Sequence, residues 1–518
     1  PPGTTDTCQA RLLTATTDAR MIAVDAASGE PCSDFGEDGQ ISLLPGMGEF
    51  TPGLYYATSP PTIASGVAVL GGLVKDNQEI LEPSGVVRGF DPISGRLLWA
   101  WDLGREETRT LPPEGEAYTR GTPNAWSLFS ADDDLGLVYI PTGNATPDYF
   151  GGHRSEAMDK YASSIIALDA RSGRVRWHFQ TTHHDIWDYD ASSQPVLVDV
   201  PVGGVSRKAV IVPTKRGELF LFDRLTGEPL TEIEERPTPQ TDVAQDWTSP
   251  TQPFSVGMPS FAGAPVREQD MWGISPLDQL WCRIRFRQLR YEGPLTQPSI
   301  NGSLQYPGIG GGMNWGSVAV DEVNQLMVVN SLHLPFVVSL IPRDQVGQDH
   351  FFGMGGHQKG TPYAAYSMPF FSPLYVPCMQ PPFGELAVVD LASQTILWQR
   401  PLGSLRLSDS SSGLPVGLPY FGGAVVTRGG LIFMGGTIDR TLRAIDLYSG
   451  QELWSDVLPE NAEATPMSYV SPNTGRQYVV ITVPEGGGII PGSAAKSGDD
   501  PADKSALGGH VIAYRLPR

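Results

Sequence analysis

Cysteine is scarce. The 518 residues hold four, Cys8, Cys32, Cys282 and Cys378. None stands in a Cys-x-x-Cys pair, which argues against a zinc ribbon, a thioredoxin-type dithiol or a Cys-x-x-Cys-His haem site. On composition alone, two disulfides in an oxidising compartment and four buried thiols are both open. Positive charge is scarce too: 36 Lys and Arg stand against 57 Asp and Glu, a net charge of −21. No nucleic acid is therefore expected as a partner, since its binders need clustered basic residues. The same balance disfavours an anionic membrane surface. No apolar run approaches the ~18 residues of a membrane helix. No charged-then-apolar signal segment opens the chain. The expectation is a soluble protein, or one whose targeting or anchoring segment lies upstream of "PPGTTDTCQARLL". Long amphipathic helical patterns are also missing.

Punctuation is abundant, with 59 Gly and 46 Pro, which suits many short strands joined by turns. A repeat runs through them: an apolar strand, an Asp, a Ser/Thr-Gly turn, then a strand often ending in Trp. Copies are "MIAVDAASGEPC", "VVRGFDPISGRLLW", "IIALDARSGRVRW", "LFLFDRLTGEPL", "LAVVDLASQTILW" and "LRAIDLYSGQELW". Their aspartates are Asp25, Asp91, Asp169, Asp223, Asp390 and Asp446. The longest interval, Asp223 to Asp390, has room for two more units, and "GSVAVDEVNQLMVVN" looks like part of one. Each copy reads as a β-hairpin, and where the turn carries Gly, in all but "LAVVDLASQTILW", that Gly takes positive φ. Trp99, Trp177, Trp398 and Trp454 supply bulk between neighbouring sheets. A repeated four-stranded unit of this size is a propeller blade. The expected fold is all-β, a propeller of four-stranded antiparallel blades. About seven are visible in the sequence; the expectation is that the first is incomplete and that an eighth needs residues ahead of this chain.

Chemistry concentrates at "TTHHDIWDYD" (181–190), which follows the third hairpin. Asp188 lies between Trp187 and Tyr189, a setting that would desolvate a carboxylate and raise its basicity. Lys215 follows at the end of the next unit's strand in "VPTKRGELF". Trp126 stands in "TPNAW" just before a strand, and Asn144 at a strand exit in "PTGN". A base, a cation, an indole and an amide thus come from comparable rims of successive units. His183 and His184 are open to a site role or to a structural one.

These residues carry a resemblance. With "EPSGVVRGFD", "YASSIIALDARSG", "HHDIWDYD", "DMWGISPLDQLWCRIRFRQLRYEG" and "LRAIDLYSGQELW", essentially the whole chain resembles the pyrroloquinoline quinone (PQQ) dependent dehydrogenases, in particular the membrane-bound glucose/quinate/shikimate group. The resemblance implies one catalytic domain over residues 1–518, an eight-bladed propeller holding PQQ and a divalent ion, Ca2+ or Mg2+, on its axis. It gives Asp188 as the base that takes the substrate's hydroxyl proton. Lys215 becomes the cation at the quinone oxygens, and Trp126 the platform beneath the ring system. Asp76, Asn77, Asn330 and His184 become cofactor contacts. Glu82, Asn144 and Asp188 become metal ligands, with Thr146 competing for the place of Asn144.

The implied substrate is a polyhydroxy compound, a glucose-type sugar or a quinate/shikimate-type cyclic acid. The implied acceptor is membrane ubiquinone, and the implied place is the periplasm, outward from the inner membrane, through an anchor segment or a partner subunit. A periplasmic location makes disulfides the expectation, with Cys8 pairing Cys32 around the first hairpin and Cys282 pairing Cys378 across the long interval. The Gly-Gly-His-Gly stretch of the glucose-oxidising branch is absent, and a polar insertion occupies residues 484–510. The arginines of "CRIRFRQLRYEG", read as a strand, are candidate partners for a carboxylate substrate. A Ser-x-x-Lys match at 493–496 lacks every partner of that motif. The alternative from another class is a cofactor-free propeller that serves as a binding scaffold. Such a scaffold has no reason to keep Trp126, Asp188 and Lys215 at one mouth.

Overall fold

A computed structural model describes residues 8–105, 108–347, 350–405, 415–484 and 509–515. Within them, seven antiparallel meander sheets follow one another along the chain, over residues 11–42, 62–101, 130–180, 196–223, 318–401, 424–457 and 467–515. Four have four strands and three have three. The all-β expectation agrees with this, but the partial unit "GSVAVDEVNQLMVVN" and the Asp390 copy share one sheet, 318–401, and the seventh sheet, 467–515, carries no copy of the hairpin. Eight four-stranded blades are not reached among the described residues. The long interval holds one such sheet, not two; the rest of it builds a cap, described below. The polar insertion and the Ser-x-x-Lys match lie almost wholly outside the described residues.

The repeat explains how the sheets hold together. In each hairpin the turn Asp accepts hydrogen bonds from the turn it starts. Asp446 Oδ1, for example, takes Ser449 N at 2.7 Å and Ser449 Oγ at 2.8 Å. The hairpin Trp then reaches forward into the next sheet. Trp99 Nε1 donates to Ala170 O at 3.0 Å, Trp177 Nε1 to Arg224 O at 3.2 Å, and Trp398 Nε1 to Leu447 O at 2.9 Å. Each indole lies against the turn glycine of that next sheet. A Cβ on Gly173 would sit 2.3 Å from Trp99, one on Gly227 2.6 Å from Trp177, and one on Gly450 2.9 Å from Trp398. So this glycine serves twice, for its positive φ (+69° at Gly173) and for the close approach of the ring. Trp454, at the last interface, meets Tyr514 edge-on instead.

These turns set an acid limit on stability. Amide and hydroxyl donors hold Asp25 down to about 2, and Ser449 holds Asp446 below its ordinary value. A carboxylate depressed in the folded state contributes fully above its unfolded pKa of ~3.9 and loses that contribution as pH falls through the folded value. The melting temperature should therefore fall as pH drops from ~4 to ~2. Asp25→Asn combined with Asp446→Asn should flatten that fall; thermal melts at stepped pH check it, and an unchanged slope would remove the turns from the account.

Topology decides where function can sit. In an up-and-down meander, the link between the second and third strands and the exit to the next sheet leave from the same end. Those links are residues 71–86, 142–163, 181–195 and 214–218, and they carry nearly every candidate side chain. Two long excursions wall this end, residues 224–317 and 333–383. Their strands Ser303–Gln305, Phe336–Pro342 and Tyr363–Pro369 form one cap sheet. The Cys282–Cys378 disulfide ties one excursion to the other, with Cα atoms 5.3 Å apart. Cys8–Cys32 closes the first hairpin at 5.8 Å. Both pairings match expectation.

One element departs from the sequence reading. Residues Pro276–Gln288 form an α-helix, not a strand. Ser275 caps it through Oγ, Pro276 opens it, and Arg285 and Arg287 favour its C-terminal end. Arg283 and Arg287, four apart, both bind Glu268. Arg290 lies beyond the helix and binds Asp242 and Glu292.

Candidate active site

The loop 181–190 answers why acid, imidazole and indole crowd together. Its three aspartates have three separate tasks. Asp185, fully buried, organises the backbone: it accepts Ser163 Oγ at 2.6 Å, Trp187 N at 2.8 Å and Tyr189 N at 2.8 Å. The flanking aromatics pin the loop to the cap. Trp187 Nε1 donates to Thr296 O at 2.9 Å, and Tyr189 OH to Pro307 O at 2.5 Å. Between two anchored aromatics, Asp188 is held at φ +61°. A non-glycine residue in the left-handed region costs roughly 1–3 kcal/mol and persists only where the surroundings impose it.

Asp188 faces Lys215. The ammonium lies 2.7 Å from Asp188 Oδ1 and 3.0 Å from its carbonyl oxygen. Burial pushes the Asp188 carboxyl up to about 7, with Lys215 pulling it down and Asp190 adding to the rise. Burial lowers the Lys215 ammonium, but Asp188 and Asp190 outweigh that and raise it above its ordinary value. The lysine backbone is wedged from behind: a Cβ on Gly311 would lie 2.6 Å from Lys215 Cα.

Asp190, which sequence reading passed over, is the hub. Its Oδ2 accepts Trp126 Nε1 at 3.1 Å and lies 3.6 Å from Lys215 Nζ. Its Oδ1 accepts Asn144 N at 2.8 Å. One carboxylate thus joins the indole, the cation and the Thr-Gly-Asn turn. The only sequence signal was its place two residues after Asp188. Trp126 is fixed at the other end as well, where its carbonyl accepts Thr58 Oγ1 and Ser59 Oγ. The indole is half-buried, so it is held in position while part of its surface stays open.

The other candidates divide. Asp76 is exposed, yet its carboxyl is pushed well up, by desolvation first and then by Asp190, Asp188 and Glu82, which puts all four carboxylates in one neighbourhood. Asn77, at φ +62°, exchanges two hydrogen bonds with Asp148: Nδ2 donates to Oδ2 at 2.7 Å, and Asp148 N donates to Oδ1 at 3.0 Å. The cap stitches this loop down. Gln358 N donates to Asn77 O at 2.8 Å, and Gln358 Oε1 accepts Tyr149 N at 3.2 Å. Burial pushes Glu82 up to about 7. Its Oε1 takes the Gln78 and Glu79 amides, while its buried Oε2 has no hydrogen-bond partner among the described residues. Asn144 is occupied: Oδ1 accepts Ala145 N at 2.8 Å and Nδ2 donates to Asp185 O at 2.8 Å. Thr146 Oγ1 donates to Glu79 O at 3.3 Å. Asn330 sits near the end of strand Leu326–Leu332 and donates to Gly422 O at 3.1 Å.

His184 has both ring nitrogens engaged, Nδ1 with Asp159 at 3.1 Å and Nε2 with Asp246 at 3.5 Å, and it stacks on Trp247 with ring centroids 3.6 Å apart. These contacts give it a scaffolding part. His183 is likewise bound, to Gln180 and Glu235.

Carboxylate oxygens gather around these loops, and among the described residues no three of them come within 4.8 Å of one another. Asp76, Glu82, Asp148, Asp188 and Asp190 converge electrostatically, with Lys215 and Arg154 as the cations among them. Such crowding raises carboxyl pKa values until a cation neutralises it, and the unpartnered Glu82 oxygen is an oxygen ligand in waiting.

Comparison with known proteins places the chain in a family. Residues 2–479 match the family described as PQQ: glucose/ethanol/alcohol dehydrogenase, beta-propeller domain. The chain is 43% identical over 499 residues to the glycerol dehydrogenase large subunit of Gluconobacter thailandicus, covering 92% of this chain and 67% of that one. It is 40% identical over 527 residues to the quinate/shikimate dehydrogenase (quinone) of Acinetobacter baylyi, covering 99% and 63%. It is 37% identical over 528 residues to the quinoprotein glucose dehydrogenase of Escherichia coli, covering 98% and 64%. It thus spans about two thirds of the length of these relatives. Among solved structures, the quinohemoprotein alcohol dehydrogenase of Comamonas testosteroni superposes with a TM-score of 0.60 at 21% identity, covering 91% of this chain and 61% of that one. That likeness supports the fold. The chain belongs to the PQQ-dependent glucose/ethanol/alcohol dehydrogenase β-propeller family.

Proposed function

We propose that this chain is the catalytic domain of a quinoprotein dehydrogenase that oxidises a hydroxyl group of a polyhydroxy substrate. The observation that carries the reading is the Asp188–Lys215 pair at 2.7 Å, with Asp188 held at positive φ and its neighbour Asp190 bonded to Trp126. Bound PQQ would supply an ortho-quinone that accepts two electrons, with a divalent ion, Ca2+ or Mg2+, as Lewis acid. Trp126 would carry the flat ring system, and Asp76, Glu82 and Asn144 would offer oxygen to the ion. Asn77 would support Asp148 and the loop beside them, and Asn330 would contact the ring system from the opposite rim. Asp188 removes the proton from the substrate hydroxyl. Lys215 steadies negative charge where electrons arrive and keeps the base oriented. Electrons would leave to ubiquinone at the outer face of the bacterial inner membrane, through an anchor segment or a partner subunit. The reading includes closure of the propeller into eight blades.

Glycerol, quinate or shikimate and glucose, named for the relatives, set the substrate range to try. The test is to add PQQ with Ca2+ or Mg2+ to the purified chain and follow dye reduction across that panel. Turnover with at least one polyol is expected; none with any would favour a cofactor-free scaffold. Trp126→Ala should raise the PQQ dissociation constant by about tenfold or more, since stacking on an aromatic is worth ~1 kcal/mol beyond the buried area. Substrate preference should stay as it is. An unchanged PQQ titration would put the platform elsewhere.

A further inference from the structure

Helix Pro276–Gln288 turns its apolar side outward. Leu277 is 79% exposed, Leu280 50%, Trp281 38% and Ile284 51%. These are positions i, i+3, i+4 and i+7, one continuous stripe on a 3.6-residue helix. The opposite side is inward: Cys282 is buried in the disulfide and Asp278 is buried at the N-cap, where it accepts Ile274 N. With Asp278 covered, the open surface of the helix carries no acid. Arg285 flanks the stripe on one side and Arg283 and Arg287 on the other. Arg283 and Arg287 share Glu268, and Arg285 bonds Gln288, with no carboxylate partner among the described residues.

We infer that this helix is a membrane-surface docking element of the chain itself, lying in the plane of an anionic lipid headgroup layer with Leu277, Leu280, Trp281 and Ile284 in the acyl boundary. Apolar stripe, edge tryptophan and flanking arginines are what such a helix requires. The occupant is chosen by charge. The chain as a whole carries −21 and would be repelled by anionic lipid. At physiological ionic strength, however, charges more than about 8 Å from the contact are screened, so the local face decides. That face is basic or neutral. The disulfide fixes the helix to the cap rather than leaving it to move. The inference stands apart from the dehydrogenase reading, because it needs neither cofactor nor turnover.

The test uses the whole purified chain and vesicles of phosphatidylcholine, with and without phosphatidylglycerol, in a co-sedimentation assay. The chain should partition onto vesicles containing phosphatidylglycerol. Leu280→Glu and Ile284→Glu should each lower that partition by about tenfold or more, since a buried apolar group is exchanged for a charge. Arg285→Glu should weaken binding to the anionic vesicles and leave binding to the neutral ones in place. Both apolar positions are solvent-facing, so melting temperatures should stay at the wild-type value and separate lost docking from lost folding. Binding should blue-shift the tryptophan emission, and Trp281→Phe should remove that shift. Wild-type binding by Leu280→Glu, or no binding by the wild type, overturns the proposal. So does a concentration-dependent dimer, or capture of a protein subunit, that these substitutions abolish while lipid has no effect; the face would then dock protein.

Discussion

Asp188→Asn should leave the fold and most PQQ binding intact and lower turnover by about a hundredfold to ten-thousandfold, the usual worth of a positioned general base. The substitution is isosteric. Asn can keep an oxygen toward the Lys215 ammonium, and the second contact of that ammonium, to the Asp188 carbonyl at 3.0 Å, is unaffected. The strained backbone at φ +61° also suits Asn, which tolerates the left-handed region. What disappears is the ability to take a proton. Steady-state kinetics on the PQQ-loaded variant, beside a PQQ titration, separates the two effects. Near-normal turnover with normal cofactor binding would remove Asp188 as the base.

Asp190→Ala should be the most damaging single change for the integrity of the site. It removes one partner of a buried ion pair and strands three donors: Trp126 Nε1, Asn144 N and part of the Lys215 contact. Lys215 keeps its closer partner, Asp188 at 2.7 Å, so the loss comes from the orphaned donors, at about 1–3 kcal/mol each. Urea unfolding of the cofactor-free protein should show a loss of at least about 2 kcal/mol. PQQ affinity should fall as the indole loses its anchor. Asp190→Asn can still accept one of the hydrogen bonds, so its loss should be smaller. Wild-type stability in Asp190→Ala would mean that water replaces the carboxylate and that Trp126 is held by its backbone alone.

What was legible in the sequence follows how local each signal is. The Asp-x-x-Ser/Thr-Gly turns were readable because their hydrogen bonds close within three or four residues, as from Ser449 to Asp446. Asp188, Lys215 and Trp126 were found through a resemblance, since nothing in "DYD" or "TKR" alone separates a base from a turn residue. Asp190 was missed because its partners, Trp126 and Asn144, lie 64 and 46 residues away. His184 looked chemical because of its neighbours, yet Asp159 and Asp246 occupy it. The helix at 276–288 was misread because Arg283, Arg285 and Arg287 alternate with apolar residues, which imitates the period of a strand. The helical period is carried by Leu277, Leu280, Trp281 and Ile284. Outward apolar residues are not what a search for a buried face looks for.

The docking of Trp99, Trp177 and Trp398 onto the turn glycine of the following sheet gives the assembly a polarity. The sheet over residues 130–180 is receptor to the one before it, at Gly173, and donor to the one after it, through Trp177, so coupling passes along the chain there in nearest-neighbour steps. Damage at one glycine therefore loosens two sheets without directly touching a third. A chain reopened in the loop between two sheets, with its old ends joined, would lose no receptor, whereas one cut inside an Asp-x-x-Ser/Thr-Gly turn would leave an indole with no seat.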